Sequence, residues 1–206
     1  MVSFKIALRF LKSSKLQTVL IILGLAVGIA VQIFVGQLLT NLQEGFLEET
    51  TGNASHVTII PDEDGATLDN WESMVSSIEG VDGITAVSPV ADSPALVVSN
   101  NQSNSILMRG LDMARAEGIY ELAENTYEGG VPSNDSQILL GRELAEDLGL
   151  SVGDSVGIIT PSQATYTLWV SGLYDLGSAA INERWVMVTV DSSQNINGLG
   201  DSITSI

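Results

Sequence analysis

His56 is the only histidine among the 206 residues, and the sequence has no cysteine. A histidine cluster for zinc is therefore impossible, and no thiolate can replace one. A serine–histidine–aspartate arrangement would have to use His56, yet no glycine-serine-glycine elbow accompanies it. His56 reads instead as a strand residue. No lysine follows Lys15, so a phosphate-cradling loop with its lysine is missing. Asp62, Glu63, Asp64 and Asp69 could offer oxygens to calcium. Placing Gly65 at the sixth position of a calcium loop puts Ile60 first and Trp71 last, which fails the ligand pattern and leaves a solvated acidic loop. Asn53, Asn101 and Asn134 each open an Asn-Xaa-Ser acceptor pattern for N-glycosylation. The residue types thus predict no catalytic, cofactor or metal site, and a chain that is not itself an enzyme.

The element that must position everything else is the uncharged stretch from Leu16 to Leu39. About 20 apolar residues in a helix rise ~30 Å, the thickness of a bilayer core. A helix satisfies every backbone hydrogen bond of a lone segment in lipid, so residues 16–39 are read as a transmembrane helix. The rival is a cleaved signal peptide. Its apolar region would exceed the usual ~7–15 residues, and the best small-residue site, Gly28-Ile29-Ala30, falls inside it. Gly24 and Gly28 stand four apart, a spacing that lets two helices approach closely, and Gln32 is a polar group better placed against protein than lipid. Glycine is also common in such helices without any packing role.

Charge is divided about this stretch. Lys5, Arg9, Lys12 and Lys15 precede it, while from Leu16 onward four arginines face 25 acidic residues, a net of −21. Basic flanks stay on the cytoplasmic side, which places the N-terminus inside and residues after about 41 outside. Residues 1–15 read as an amphipathic helix at the inner surface, or as charges that merely set topology. So acidic an exterior excludes nucleic acid as a partner. The apolar pattern continues through Leu42, Phe46 and Leu47, predicting a stalk over residues 40–52.

The exterior reads as α+β. His56–Pro61 is a strand, and Leu68–Glu79 a helix with Asp69 and Glu72 spaced for reciprocal capping and Gly80 as its stop. Strands follow over 84–90, 95–99 and 105–110, the last two joined at Asn100-Asn101-Gln102. A second unit is expected from Leu111: a helix over 113–124, a loop over 128–136, a buried strand at 137–140, a helix at 142–148, strands at 156–160, 164–174 and 185–190, and the start of another strand at 201–206. In the segment Gly141–Asp154, Gly141 ends a strand, Arg142 opens a helix, and Leu144, Ala145 and Leu148 form its buried face. Gly149 is the helix C-cap, and Gly153 permits the positive φ of a turn with Asp154.

Two stretches carry a resemblance. One is the basic start Ala7-Leu8-Arg9-Phe10-Leu11-Lys12 leading to Leu23-Gly24-Leu25-Ala26-Val27-Gly28. The other is Ile138-Leu139-Leu140-Gly141-Arg142-Glu143-Leu144-Ala145-Glu146-Asp147-Leu148-Gly149, with Val152-Gly153-Asp154 after it and then Val170–Asp175 and Trp185–Val188. In this order they resemble the MacB/FtsX-like permeases of ABC transporters. The resemblance implies a first transmembrane helix, an extracytoplasmic domain with a porter-like α+β part (here 53–110) and a mostly β, Sabre-like part (here 111–206, with the start of a return strand), and three further helices. It also implies a homodimer or paired permease in the membrane. ATP would be held by a cytoplasmic ATPase subunit, leaving no cofactor in this chain. The sequence is then expected to be the N-terminal part of a permease that couples ATP hydrolysis to movement of its exterior, for export or lipoprotein and lipid handling. A membrane-anchored binding or sensor protein is the alternative, distinguished by the absence of an adjacent ATPase gene.

Overall fold

The computed structural model of the protein describes residues 15–51, 55–63, 65–99 and 102–206, with residues 38–51 as backbone. The expected helix at the N-terminus, and Asn53, Asp64 and Asn101, lie outside them. Two units divide at residues 50 and 51. In the first, α1 (Lys15–Thr51) is one unbroken helix of 37 residues. Its part from Lys15 to Gln37 is long and apolar enough to cross a membrane, rising ~34 Å. Leu16, Leu20, Leu25 and Phe34 point outward with more than half of their surface exposed. A stripe that is apolar all round belongs in lipid or against other helices.

The second unit is organised by a closed sheet. Its strands are β1 (Val90–Ser99), β2 (Gln102–Leu111), β3 (Thr126–Gly129), β4 (Gln137–Gly141), β5 (Ser155–Ile159), β6 (Thr165–Tyr174) and β7 (Trp185–Thr189). They run in the order β3-β6-β4-β7-β2-β1-β5, and β5 pairs back onto β6. Six strands thereby close a barrel with β3 as an outside flap on the later half of β6. Closure removes the open edges that would otherwise recruit other strands. Alternation along each strand then sorts side chains. Val97, Met108, Ile138, Leu140, Ile158, Leu168, Val170 and Val186 fill the interior with α5 (Arg142–Leu148) plugging it through Leu144, Ala145 and Leu148. On the outside of β2, β4 and β7, Leu111, Leu139 and Met187 form a second core with α3 (Met113–Tyr120) and α4 (Leu122–Asn125).

The chain enters the barrel at Val90 and leaves it after α7 (Val190–Asn197). Around those two points lies a smaller layer: the segment 55–61, α2 (Trp71–Glu79), the segment 84–89 and the returning residues 201–206. The return is stitched on both sides. Ile59 and Ile206 exchange both backbone hydrogen bonds at 2.8 and 3.0 Å, and Val90 and Ser205 do so at 2.9 and 3.1 Å. A further bridge joins Leu68 to Ile203. The expected boundary at 110 therefore moves: β1 and β2 belong to the same barrel as β4–β7, and the insertion begins at Val90.

Other differences have local causes. Helix α2 starts at Trp71, behind Asn70 in the left-handed region (φ 52°), with no side-chain cap. Asp69 is occupied elsewhere, accepting from the Ser202 hydroxyl at 2.5 Å, and Leu68 is in its bridge. The helix expected over 113–124 breaks at Glu121 (φ 48°) into α3 and α4. The loop expected at 128–136 contributes its first residues to β3. The strands expected over 56–61 and 84–89 are not formed as ladders, although Ile59 pairs with Ile206. The C-cap Gly80 is right-handed (φ −78°), so it stops α2 without the left-handed turn.

Candidate functional site

The Gly141–Asp154 segment and the Val170–Asp175 segment meet in space. Leu139, Leu140 and Gly141 pair in parallel with Gly172, Leu173 and Tyr174. The amide of Gly153 donates to the carbonyl of Val170 (2.8 Å), whose own amide donates to the carbonyl of Asp154 (2.9 Å). The Asp154 carboxylate accepts from the Ser151 amide at 2.9 Å and closes the turn. Gly149 and Gly153 have φ of +63° and +93°, where any other residue is strained. Trp185–Val188 joins the same knot, because Leu139 pairs with Met187 and the Tyr174 hydroxyl donates to the Trp185 carbonyl at 3.0 Å. Burial pushes the Tyr174 phenol well above its usual range. These roles hold the strands together and transfer no group.

Asp175 is the polar centre of that knot. One carboxylate oxygen accepts from the Gly177 amide (2.9 Å) and the Asn182 amide group (2.8 Å), and the other meets the Arg142 guanidinium at 2.6 Å. Arg142 also lies 4.7 Å over the Tyr127 ring of the β3 flap. Asn182 sits on α6 (Ala179–Arg184) and accepts from the Leu176 amide at 3.0 Å. The Gly177 amide and then Asn182 hold the Asp175 carboxyl below the usual aspartate range; burial opposes them, and Arg142 adds the smallest contribution. A lowered pKa means stability that is complete above the unfolded value of ~3.9 and lost as pH falls through the folded value. Asp175→Asn is therefore expected to cost ~1–2 kcal/mol at pH 7 and to flatten the decline in stability below pH ~4. Urea unfolding across a pH series measures both, and an unchanged acid slope would remove Asp175 from this account.

A second charged cluster was missed in the sequence. Arg109 on β2 lies opposite Asp92 on β1, with its Nε donating to Asp92 Oδ1 at 3.0 Å. Its Nη1 donates to the Tyr120 hydroxyl at 3.1 Å, and its guanidinium lies 4.2 Å over the Trp185 ring. The side chains are 12% and 25% exposed for Arg109 and Asp92. Burial lifts the Asp92 carboxyl above its ordinary range, and Arg109 pulls it only partly back. Arg109 is kept protonated by Asp92 and Tyr120 against its own burial. The signal available was a lone arginine in the apolar run Ile106-Leu107-Met108-Arg109, in hairpin register with Asp92.

Arg109 and Tyr120 reach the wall of a cleft of about 510 Å³, whose two long sides are Ser55–Ile59 and Ile84–Ser88. His56 lines it and is exposed. Among the described residues no three His, Asp or Glu side chains converge as a metal site. Gly24 and Gly28 have nothing within 4 Å of where a Cβ would stand. Asn134 is exposed, its side-chain oxygen accepting from the Ser136 amide at 3.0 Å.

Fold and site together define an α+β domain with an inserted barrel, carried in sequence behind an apolar helix of membrane-spanning length. The chain belongs to the MacB-like periplasmic core domain family, whose family model matches residues 18–206, and so to the MacB/FtsX-like ABC permeases. It is 27% identical over 198 residues to the lipoprotein-releasing system transmembrane protein LolC of Xylella fastidiosa, covering 90% of this chain and 47% of that protein. The LolC of Neisseria meningitidis serogroup B is 28% identical over 170 residues, 76% of this chain and 39% of its own. The chain thus spans about half the length of these relatives or less. The extracellular domain of the noncanonic ABC-type transporter YknZ from Gram-positive bacteria has a TM-score of 0.52 at 14% identity, with 72% of this chain and 79% of that one covered. The periplasmic region of MacB from Actinobacillus actinomycetemcomitans gives 0.50 at 14%, covering 73% and 64%. These two similarities extend to the fold.

Proposed function

We propose that this chain is the N-terminal part of a permease subunit of an ABC transporter. A separate cytoplasmic ATPase would drive it, and its exterior domain would move during export or the handling of lipoproteins or lipids. The observation that carries the reading is the family match from residue 18 to 206, which takes in the apolar helix and the domain as one sequence. The unbroken 37 residues of α1, none of them proline, support a mechanical role, since a continuous helix transmits displacement along its axis. In this reading the basic residues before Leu16 lie in the cytoplasm and those after about 41 lie outside. Gly24, Gly28 and Gln32 form the face that packs against other permease helices, within a homodimer or paired permease. The barrel from Val90 to Asn197 is the Sabre-like part, and the layer of 55–89 with 201–206 the porter-like part.

Affinity purification of the full-length protein from its own membranes in mild detergent is expected to recover an ABC ATPase in stable ratio to it. Recovery of the protein with no ATPase, under conditions that keep its own oligomer, would replace transport by the anchored binding-protein reading.

A further inference from the structure

One face of the barrel carries no charge, although the sequence is strongly acidic. Residues 93–107 and 155–174 contain none of the 25 acidic and eight basic residues. The two stretches lie side by side, with Leu96 paired to Ile159 and Val98 to Gly157. Val97, Ile158 and Leu168 point into the barrel, so their neighbours along each strand face out. Val98, Gly157 and Thr167 form one row across the strands, and Ser155, Trp169 and Gln137 the next. Trp169 is 53% exposed. Among the described residues its indole N–H and the hydroxyls of Ser155 and Thr167 have no hydrogen-bond partner. A basic partner would find no carboxylate on this face, and an anionic one no arginine. An open aromatic ring among free hydroxyls suits a sugar, whose C–H face stacks on the ring while its own hydroxyls bond the serine and threonine.

A place to attach such a sugar lies beside the ring. Gln137 pairs with Trp169, and the Trp169 amide donates to the Ser136 carbonyl at 2.8 Å. Ser136 is the third residue of the acceptor pattern Asn134-Asp135-Ser136, and all three are exposed. The Asn134 carboxamide oxygen accepts from the Ser136 amide at 3.0 Å, and the Gln137 amide closes the turn on the Asn134 carbonyl at 3.2 Å. The two atoms that the modification needs, Asn134 Nδ2 and Ser136 Oγ, have no hydrogen-bond partner among the described residues. Two residues span at most ~7 Å and neighbouring strands stand ~5 Å apart, so Asn134 lies within ~12 Å of Trp169.

We propose that Asn134 carries an N-linked glycan whose first sugars pack over Trp169 on the uncharged face. The attachment is a glycosyl transfer from a polyprenyl-phosphate-linked sugar. The bond from the anomeric carbon to the phosphate oxygen breaks, and the bond from that carbon to Asn134 Nδ2 forms. One Nδ2 proton passes to a base of the transferase, and the lipid phosphate leaves. The sequence pattern supplies the acceptor, and the neighbouring face supplies a surface of matching chemistry. The inference rests on the topology of the proposed function, which puts residues after about 41 outside.

Trypsin cuts after Arg115 and Arg142, so residues 116–142 form one peptide, and Asn134 opens the one acceptor pattern in it. In the full-length protein purified from its own membranes, that peptide is expected to be heavier than its sequence by whole sugar residues. Asn134→Gln and Ser136→Ala should each abolish the increment, and Ser136→Ala keeps the backbone amide on which the turn depends. Acrylamide quenching of tryptophan fluorescence reads the covering of the ring. Ser136→Ala should increase the quenching, and should not do so when Trp169→Phe is also present. A peptide of bare sequence mass overturns the proposal, as does a glycan whose loss leaves quenching unchanged. Quenching of the unglycosylated variant that falls with rising protein concentration overturns it too, since a second copy would then cover the face. Labelling of Asn195→Cys, the one cysteine of that variant, by a membrane-impermeant maleimide in intact cells reads the topology separately. A labelled domain with a bare peptide sinks this proposal alone, and an unlabelled one sinks the topology with it.

Discussion

Gly141→Ala is expected to destabilise the domain by ~3 kcal/mol, a large share of the ~5–15 kcal/mol that holds a typical domain folded. Gly141 has an ordinary extended φ of −71°, so backbone freedom is not the reason. Its Cα faces the backbone of α6: a methyl there would fall on the carbonyl oxygen of Asn182 and lie 2.5 Å from its Cα. Backbone atoms have no rotamer to escape into, so α6 itself must move. That movement pulls Asn182 from Asp175 and from the Leu176 amide. The comparison is Gly149→Ala, where φ is +63° and nothing lies within 4 Å of the added carbon. That change carries the left-handed penalty alone, ~1–2 kcal/mol. Chemical denaturation of both variants, followed by tryptophan fluorescence, decides the matter. Equal losses would mean that the Gly141–Asn182 approach relaxes at little cost.

Legibility followed the range of the interactions. Helix α5 could be read in full because its determinants are local: three apolar residues on one face and a glycine stop, all within Gly141–Gly149. Strands β4, β5 and β7 were readable as apolar runs and β6 as an alternation, for the same reason. Closure of the barrel was not, since the pairing of β5 with β1 joins Leu96 to Ile159 across more than a third of the exterior. The capping reading of Asp69 failed to a partner 133 residues away in sequence, Ser202. Helix α7 was missed because it is polar where it is buried. Ser193 donates to the Ala91 carbonyl at 2.6 Å, Ser192 to that of Asp135 at 2.9 Å, and the Gln194 amide to that of Ser202 at 3.1 Å. Satisfied hydrogen bonds let such residues replace an apolar stripe, which periodicity cannot detect. Thr189 as N-cap and Gly198 as a left-handed stop were the available clues.

Arg109→Ala is expected to cost ~3 kcal/mol at pH 7.5, and much less near pH 4. Removing one partner of a buried ion pair leaves the other charged and poorly solvated, at ~3–5 kcal/mol. Asp92, at 25% exposed, keeps some water and belongs at the low end. The pH dependence follows from the direction in which Asp92 already leans. Burial raises its pKa in the folded protein even beside Arg109, so without the arginine it rises further. A carboxyl whose folded pKa lies above its unfolded value costs stability above that pKa, and the cost disappears as pH falls through it. The variant should therefore gain on the native protein as the solution is acidified. What remains at low pH is the lost stacking on Trp185, ~1 kcal/mol, and the lost donor to Tyr120. Replacing both partners, Arg109→Met with Asp92→Leu, should recover most of the loss at neutral pH, since no charge is stranded. Equal destabilisation of Arg109→Ala at both pH values would assign the cost to packing around Trp185 instead of to the orphaned carboxylate. The double variant then separates the two, because a packing defect would persist in it.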